Sequence, residues 1–294
     1  MAKPTFISSE WAKIYMPIIR GMPGSREVDP AASLEYRIKR APAAHLGAPA
    51  REGWTSELWQ AADVLEITNW EWPNPQGPEN GPQGLHRPKV QCKLLYDEKF
   101  LAVRFQVEDH FVQCRYDKWQ DGVCRDSCCE FFISPQADSD DKTPFFNFEC
   151  NAGGAMLLYH CTRGEAGNVE VDSSTVEIPL AASLVETPGL AGQGGTKIVP
   201  EITEPTTWGI EYHVPLELFN KYTQKDVTPA SGTVWRGNVY KCADQTSHPH
   251  WGSWAPVGTP RPNFHRPSGK IPAYPRCSAF LETSLLSRRL KRLF

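Results

Sequence analysis

Two runs with apolar residues at every second position, separated by a short polar turn, constrain the fold of this chain most. The first run covers residues 90–96 and the second covers residues 101–107, with Asp97-Glu98-Lys99 between them. Because successive side chains of a strand point to opposite faces of a sheet, each run predicts a β-strand. Their short polar connection predicts a β-hairpin.

The rest of the chain also indicates short strands and few helices. Alternation or flanking turn residues predict strands at 34–40, 129–133, 144–151, 155–160, 208–214 and 234–241. Short helical turns are expected at 53–62, with Thr55 or Ser56 as the cap, and at 215–219. With 26 Pro and 22 Gly residues as punctuation, the pattern predicts an all-β fold. We expect a two-sheet antiparallel β-sandwich with jelly-roll or immunoglobulin-like layers and short helical turns.

The predicted sandwich takes up most of the chain. We assign residues 1–33 to an N-terminal lead-in, residues 34–275 to the sandwich and residues 276–294 to a basic C-terminal tail. Residues 73–88 hold repeated Pro, Gly and Asn and are predicted to form an exposed loop.

Charge and composition argue against several classes of partner. The formal net charge is −3, whereas a nucleic-acid surface needs a basic face, so no nucleic-acid partner is expected. The apolar runs are too short to cross a bilayer, so no membrane partner is expected. The first ten residues lack the apolar stretch of a secretory signal, so we expect a cytoplasmic protein, or a secreted one if the start codon is wrongly assigned. We also expect a monomer.

The nine cysteines are expected to be reduced. An odd number in a chain of 294 residues is not typical of a disulfide framework. Most of them lie in apolar or strand-like runs, where a free thiol packs as a small apolar group. Zinc is not expected, because the Cys and His residues lack the close paired spacing of zinc half-sites.

Six ordered segments of the chain carry a family resemblance. They are KVQCKLLYDEKFLAVRFQVEDHFV from residue 89, VCRDSCCEFFISP from 123, FFNFECNAGG from 145, WGIEYHVPLELF from 208, WRGNVYKCADQTSHPHWGSWAPV from 235 and FHRPSGK from 264. In this order, across residues 34–272, they resemble the family 9 carbohydrate-binding modules and their free-standing relatives. The resemblance implies a sandwich that binds a carbohydrate ligand, typically at chain ends, sometimes with structural calcium, in polysaccharide or glycoside catabolism.

The resemblance also implies where sugar-binding aromatic residues belong. In the xylanase-linked members, two Trp side chains enclose the sugar. The stretch that matches the first, Val123-Cys124-Arg125, holds no aromatic residue, and Trp119 is the nearest. The place of the second holds Phe264, with Trp251 and Trp254 upstream.

One stretch concentrates the candidate sugar contacts. Between residues 236 and 254 they are Arg236, Asn238, Asp244, Gln245, His250, Trp251 and Trp254. An indole face covers the C–H face of a pyranose, while the polar groups pair with its hydroxyls. The alternative is a rigid loop that caps one end of the sandwich. Trp235, in the middle of a predicted strand, is expected to pack in the core.

A second set of candidates lies earlier in the chain. Arg125 and Asp126 are predicted to contact the ligand. Glu130 is expected to form a buried ion pair with Arg104 or Arg125, and the alternative is that it accepts sugar hydroxyls or binds calcium. Asp109 ends a predicted strand and is a candidate calcium ligand, because calcium prefers carboxylate oxygens, although an ordinary turn aspartate is the alternative.

The sequence is compatible with three functions, each of which predicts a different structural feature. A sugar-binding protein should show an exposed aromatic patch. A glycoside-active enzyme would use carboxylates near the Trp-rich loop, for which the sequence offers Asp126, Glu130, Glu149 and Asp244. It should show a pocket and a carboxyl with a strongly shifted pKa; no catalytic residue is assigned, and an enzyme is the less favoured interpretation. A structural module that has lost its sugar site should bury Trp251, Trp254 and Phe264.

Overall fold

A computed structural model describes residues 35–42, 46–70, 86–135, 143–162, 167–229, 232–257 and 264–265, and the backbone of 276–279. The strands of these residues are β1 (Glu35–Arg40), β2 (Leu65–Glu66), β3 (Lys89–Tyr96), β4 (Phe100–Asp109), β5 (Val112–Cys114), β6 (Cys128–Ser134), β7 (Phe145–Asn151), β8 (Met156–Cys161), β9 (Asn168–Glu170), β10 (Pro179–Ala182), β11 (Gly189–Leu190), β12 (Ile198–Ile202), β13 (Thr206–Pro215), β14 (Thr233–Cys242), β15 (Trp251–Ser253) and β16 (Arg276–Ala279). The helices are α1 (Glu57–Gln60) and α2 (Leu216–Thr223), and Val123–Arg125 and Ala191–Gln193 form 3-10 turns.

The strands form two packed sheets. Sheet 1 has the order β11-β10-β13-β4-β3-β1, and sheet 2 has the order β1-β16-β14-β6-β7-β8-β9. β2 pairs with β3, β15 pairs with β14, and β5 and β12 form a separate two-stranded sheet. The predicted all-β sandwich is therefore confirmed.

The structure departs from a purely antiparallel sandwich at β1. Its first four residues pair in parallel with β16 in sheet 2. Its last two residues, Lys39 and Arg40, pair in parallel with β3 in sheet 1. One strand thus belongs to both sheets and links them.

The predicted hairpin of residues 90–107 is present, and the predicted strands at 144–151 and 155–160 form a second hairpin. β3 and β4 pair antiparallel from Lys89↔Glu108 to Tyr96↔Leu101. β7 and β8 pair antiparallel from Phe145↔Cys161 onward. The cap of α1 is Ser56, whose side chain accepts from the backbone N–H of Trp59.

Aromatic side chains fill the space between the two sheets. Phe148 of sheet 2 stacks on Tyr212 of sheet 1, with ring centroids 6.1 Å apart. α2 inserts Phe219 beside Phe146 and Trp235, at centroid distances of 5.1 and 5.2 Å. Trp235 lies in the core, as its position in the middle of a strand predicts.

A polar cluster fastens α1 and the preceding segment to the outside of sheet 1. The buried Glu211 of β13 forms an ion pair with Arg104 of β4. Its carboxylate also accepts from the indole Nε1 of Trp59 at 3.1 Å and lies 2.9 Å from Nε2 of His213. Arg104 donates in turn to the carbonyl of Ala50 at 3.0 Å. The expected ion pair between Arg104 and Glu130 is therefore wrong, because Arg104 points outward from sheet 1 and Glu130 lies on sheet 2.

The structure also bears on the predictions about the cysteines, membrane-spanning helices and the limits of the sandwich. Cys92, Cys114, Cys124, Cys128, Cys129, Cys150, Cys161 and Cys242, the cysteines of known side-chain position, are free thiols. Within the described ranges, no helix is long and apolar enough to cross a membrane. β16 falls within the stretch assigned to the C-terminal tail, yet it pairs with β1 and β14. The lead-in, the remainder of the tail and most of the predicted loop at 73–88 lie outside the described residues.

Glu211→Ala is expected to destabilise the protein by about 3–5 kcal/mol, because it leaves the buried guanidinium of Arg104 without its counter-charge. Urea unfolding followed by tryptophan fluorescence measures the loss. Glu108→Ala is the matched control, since its exposed pair with Lys89 contributes little in water. Equal losses in the two variants would contradict this account.

Candidate functional site

Sheet 2 has a second packed face, on the side away from the core. Because strand side chains alternate, every second residue of four adjacent strands points outward. We call this the outer face. Its residues are Asn238, Tyr240 and Cys242 of β14, Cys128, Glu130 and Phe132 of β6, Phe145, Asn147, Glu149 and Asn151 of β7, and Leu157, Tyr159 and Cys161 of β8.

Several segments cover the outer face. Phe264 stacks on Tyr240 with centroids 4.2 Å apart and planes 15° apart. The ring of His265 lies 5.1 Å from that of Phe132. Trp251, the first residue of β15, packs half-buried against the same cluster.

Solvent-accessible polar and aromatic groups surround this cluster. We define the rim as Arg125, Tyr116, Asp244, Trp251 and His265. The indole Nε1 of Trp251 donates to Oδ1 of Asp244 at 2.6 Å, which orients the ring. Protein atoms crowd the carboxyl of Asp244 and raise its pKa, although the hydrogen bond from Trp251 acts in the opposite direction. Arg125 donates to the hydroxyl of Tyr116 at 3.0 Å.

Backbone hydrogen bonds hold the parts of the rim together. The N–H of Gln245 donates to the carbonyl of Arg125 at 2.8 Å, and the N–H of Asp244 donates to the carbonyl of Cys124 at 3.4 Å. The β14–β15 connection is thereby fixed to the 3-10 turn at Val123–Arg125. Residues far apart in sequence therefore face the same surface.

Two carboxyls lie at the centre of the outer face. Glu130 and Glu149 stand directly opposite each other on β6 and β7. Burial raises the pKa of Glu149 to about 7. Burial and the neighbouring Glu149 raise the pKa of Glu130 well above its ordinary value. The amide Nδ2 of Asn147 donates to Oε1 of Glu149 at 2.8 Å.

The structure brings together some of the residues that the sequence singles out. Trp251, Phe264, Asp244 and Arg125 meet on the outer face or its rim, and Gln245 is exposed beside Arg125. These assignments as sugar contacts stay predictions. Arg236 lies further along the same face of β14, opposite Ser134.

Two of the polar candidates have structural hydrogen bonds instead. The buried carboxylate of Asp126 accepts from the backbone N–H of Arg115 and of Tyr116 and from Nδ2 of Asn151, at 2.8–3.1 Å. Asn238 uses its amide on both the N–H and the carbonyl of Ala255. The interpretation of these two side chains as ligand contacts gains no support, because their polar atoms are already paired inside the protein.

Three ring-bearing candidates also lie away from the outer face. Trp254 packs against the core and meets Tyr36 edge-on at 6.4 Å. Trp119 packs against the core and donates Nε1 to the carbonyl of Val171 at 3.3 Å. His250 is buried, with Nδ1 2.8 Å from the carbonyl of His248.

Asp109 has a histidine partner rather than a cluster of oxygen ligands. Its Oδ1 lies 2.6 Å from Nε2 of His86 and accepts from the backbone N–H of His110. Burial would raise the pKa of Asp109, but the bond to His86 and the charge of Lys241 outweigh it and hold that pKa well below its usual range. Among the described residues, no three His, Cys, Asp or Glu side chains are grouped to hold a metal ion.

The sequence singles out the centre of the outer face only in part: Glu130 and Glu149 are among the carboxylates weighed for a glycoside-active enzyme, whereas Asn147 and Tyr159 drew no prediction. The missed signal was the recurrence of Asn147, Glu149 and Asn151 at every second residue of β7, a strand buried on both faces.

Comparisons with known proteins agree with this architecture. A sequence model of carbohydrate-binding family 9 matches residues 78–270. A solved protein from Bacteroides uniformis ATCC 8492, described as a candidate carbohydrate-binding protein, is 22% identical over 83% of this chain and 98% of its own, with a TM-score of 0.62. A family 9 module from Caldicellulosiruptor kristjanssonii in complex with glucose is 10% identical over 85% and 98%, with a TM-score of 0.50. A module of that family and organism in complex with cellotriose has a TM-score of 0.49 at 10% identity over 85% and 96%.

The first two likenesses show a shared fold. The comparison with curated proteins finds no match. Because the matched residues 78–270 make up more than half of the chain, this protein belongs to carbohydrate-binding family 9.

Proposed function

We propose that this protein binds carbohydrate at the rim of the outer face of sheet 2. The observation that carries the proposal is the indole of Trp251, half-buried on the outer face and oriented by Asp244. Membership of the family supports it, as does the existence of a module of the same fold in complex with glucose.

The rim offers both kinds of contact that a sugar needs. The indole of Trp251 supplies a flat apolar surface for the C–H face of a pyranose ring. Asp244 supplies an acceptor, while Arg125, Tyr116 and His265 supply polar groups around it. Such groups give specificity, because a buried polar atom that loses its partner costs free energy. We further propose a role for this binding in polysaccharide or glycoside catabolism.

One observation favours a second candidate, a glycoside-active enzyme. Glu149 has a pKa of about 7 and faces Glu130 across the strands. A carboxyl that is protonated at neutral pH is what acid catalysis of glycoside cleavage requires. Incubation with oligosaccharides followed by chromatography tests it, since cleavage products would show an enzyme and their absence would favour a binding protein.

The burial of Phe264 supports a third candidate, a structural module without a sugar site. This ring is buried on Tyr240, as expected if the sugar site has been lost. Trp251 and Trp254, however, are only partly buried.

Trp251→Ala is expected to weaken sugar binding at least tenfold, because it removes the apolar surface against which the pyranose packs, and tenfold corresponds to about 1.4 kcal/mol. Binding of glucose and cellotriose is followed by tryptophan fluorescence and calorimetry. Trp54→Ala is the control, because Trp54 lies on the other sheet beside Lys93. The proposal fails if wild type binds neither sugar, or if both variants bind as wild type does.

Asp244→Ala is expected to weaken binding by roughly tenfold, through the lost acceptor and the released indole, since a hydrogen bond to a charged group contributes about 1.5–3 kcal/mol. In a Trp251→Phe background, which has no indole N–H, the same change should cost less. Calorimetry on the four proteins gives the coupling energy. Additive effects would show that Asp244 does not act by orienting the ring.

A further inference from the structure

Glu130 and Glu149 form a close pair of like groups inside the protein. They are directly opposite residues of the antiparallel strands β6 and β7, where Cβ atoms lie about 4.5–5.5 Å apart. Both belong to the outer face, and they are only 2% and 3% exposed. Two full negative charges at this spacing, away from water, are costly unless donors or cations compensate them.

Among the residues that the structure describes, few groups compensate these charges. Glu149 accepts from the amide of Asn147, and Glu130 accepts from the thiol of Cys242. Within the described ranges, the titratable and charged groups around the pair are Cys128 on β6, Tyr240 and Cys242 on β14, Tyr159 on β8, Cys124 and Arg125 in the 3-10 turn, Asp244 in the β14–β15 connection, His265, and Lys241 on the inner side of β14.

The cations in this set lie at its edges. Nε2 of His265 is 3.6 Å from Oε1 of Glu149, but this ring is about half exposed, so water weakens its effect. Lys241 points to the other side of the sheet and donates to the carbonyl of Cys242. Arg125 is exposed on the rim. Asp244 adds a further negative charge that raises the pKa of both Glu130 and Glu149.

We infer that Glu130 and Glu149 share one proton near neutral pH, and that sugar binding on this face is coupled to that proton, so that the face binds its ligand while the pair is singly protonated. The coupling rests on the proposed function. Its geometric basis is the buried cross-strand position of the two carboxyls with one amide and one thiol as donors.

The sign of the coupling follows from solvation. A neutral sugar that covers the face removes water from its edges and so disfavours the doubly ionised pair further. Binding above the pH at which the pair loses its proton therefore takes up a proton. Since burial raises the pKa of both carboxyls, that of Glu149 to about 7, affinity should fall as the pH rises above 7, by up to about tenfold per pH unit.

The shared proton is tested without any sugar. Protein labelled with carbon-13 at the glutamate carboxyls is titrated by NMR from acid to alkaline pH. One carboxyl is expected to titrate near 7 and to vanish from the spectrum in Glu149→Gln, with Glu130→Gln as the second variant. The inference is overturned if both carboxyls titrate near the ordinary value of about 4.3.

The coupling is tested by calorimetry with glucose and with cellotriose in buffers of different ionisation enthalpy at alkaline pH. Wild type should take up protons on binding, whereas the double variant Glu130→Gln/Glu149→Gln, in which neither side chain can ionise, should bind with no proton exchange and with affinity independent of pH. Glu108→Gln, an exposed carboxyl on sheet 1, should behave as wild type. Binding with no proton exchange, or with proton release, overturns the coupling. If neither sugar binds, the proposed function and the coupling fail together, and the shared proton is decided by the NMR titration alone.

Discussion

Every second residue of β6 and β7 must turn away from the core, and in both strands these residues are buried as well. The inward set, with Phe131, Phe146 and Phe148, packs against sheet 1. The outward set carries carboxyls and amides together with aromatic rings, and Trp251, Tyr116 and Phe264 pack against it. The core and the candidate site are thus two sides of the same pair of strands, and a shift of register by one residue would exchange them.

Buried polar side chains and backbone hydrogen bonds fix the position of the segments that pack on the outer face. Asp126 holds the backbone after β5 and the side chain of Asn151 at the end of β7. The 3-10 turn that precedes Asp126 then holds the β14–β15 connection through the carbonyls of Cys124 and Arg125. The position of Trp251 therefore depends on residues that do not themselves face the solvent. Substitution of such a residue is therefore expected to disturb binding and stability together.

The hairpins and the core were predictable from the sequence, because apolar alternation over seven or more residues, as at 101–107, is typical of β-strands. The site was predictable only in part. Asp126, Asn238 and His250 are polar residues near aromatic ones, and sequence cannot distinguish a side chain that pairs with its own backbone from one that awaits a ligand. The position of Glu149 opposite Glu130 depends on the pairing of β6 with β7, which is a long-range property that no local pattern encodes.

The pairing of β1 with strands of both sheets has a consequence for folding during synthesis. Its neighbour β16 comes from the far end of the described residues, so a growing polypeptide presents β1 and β14 on the ribosome before the strand that joins them exists. Until then a gap one strand wide stays open, bordered by backbone N–H and C=O groups without partners, and any extended peptide can enter it. Translation that stalls before residue 276 leaves this gap permanently open. Only a polypeptide that extends through β16 can pair β1 and β14 with the strand that lies between them.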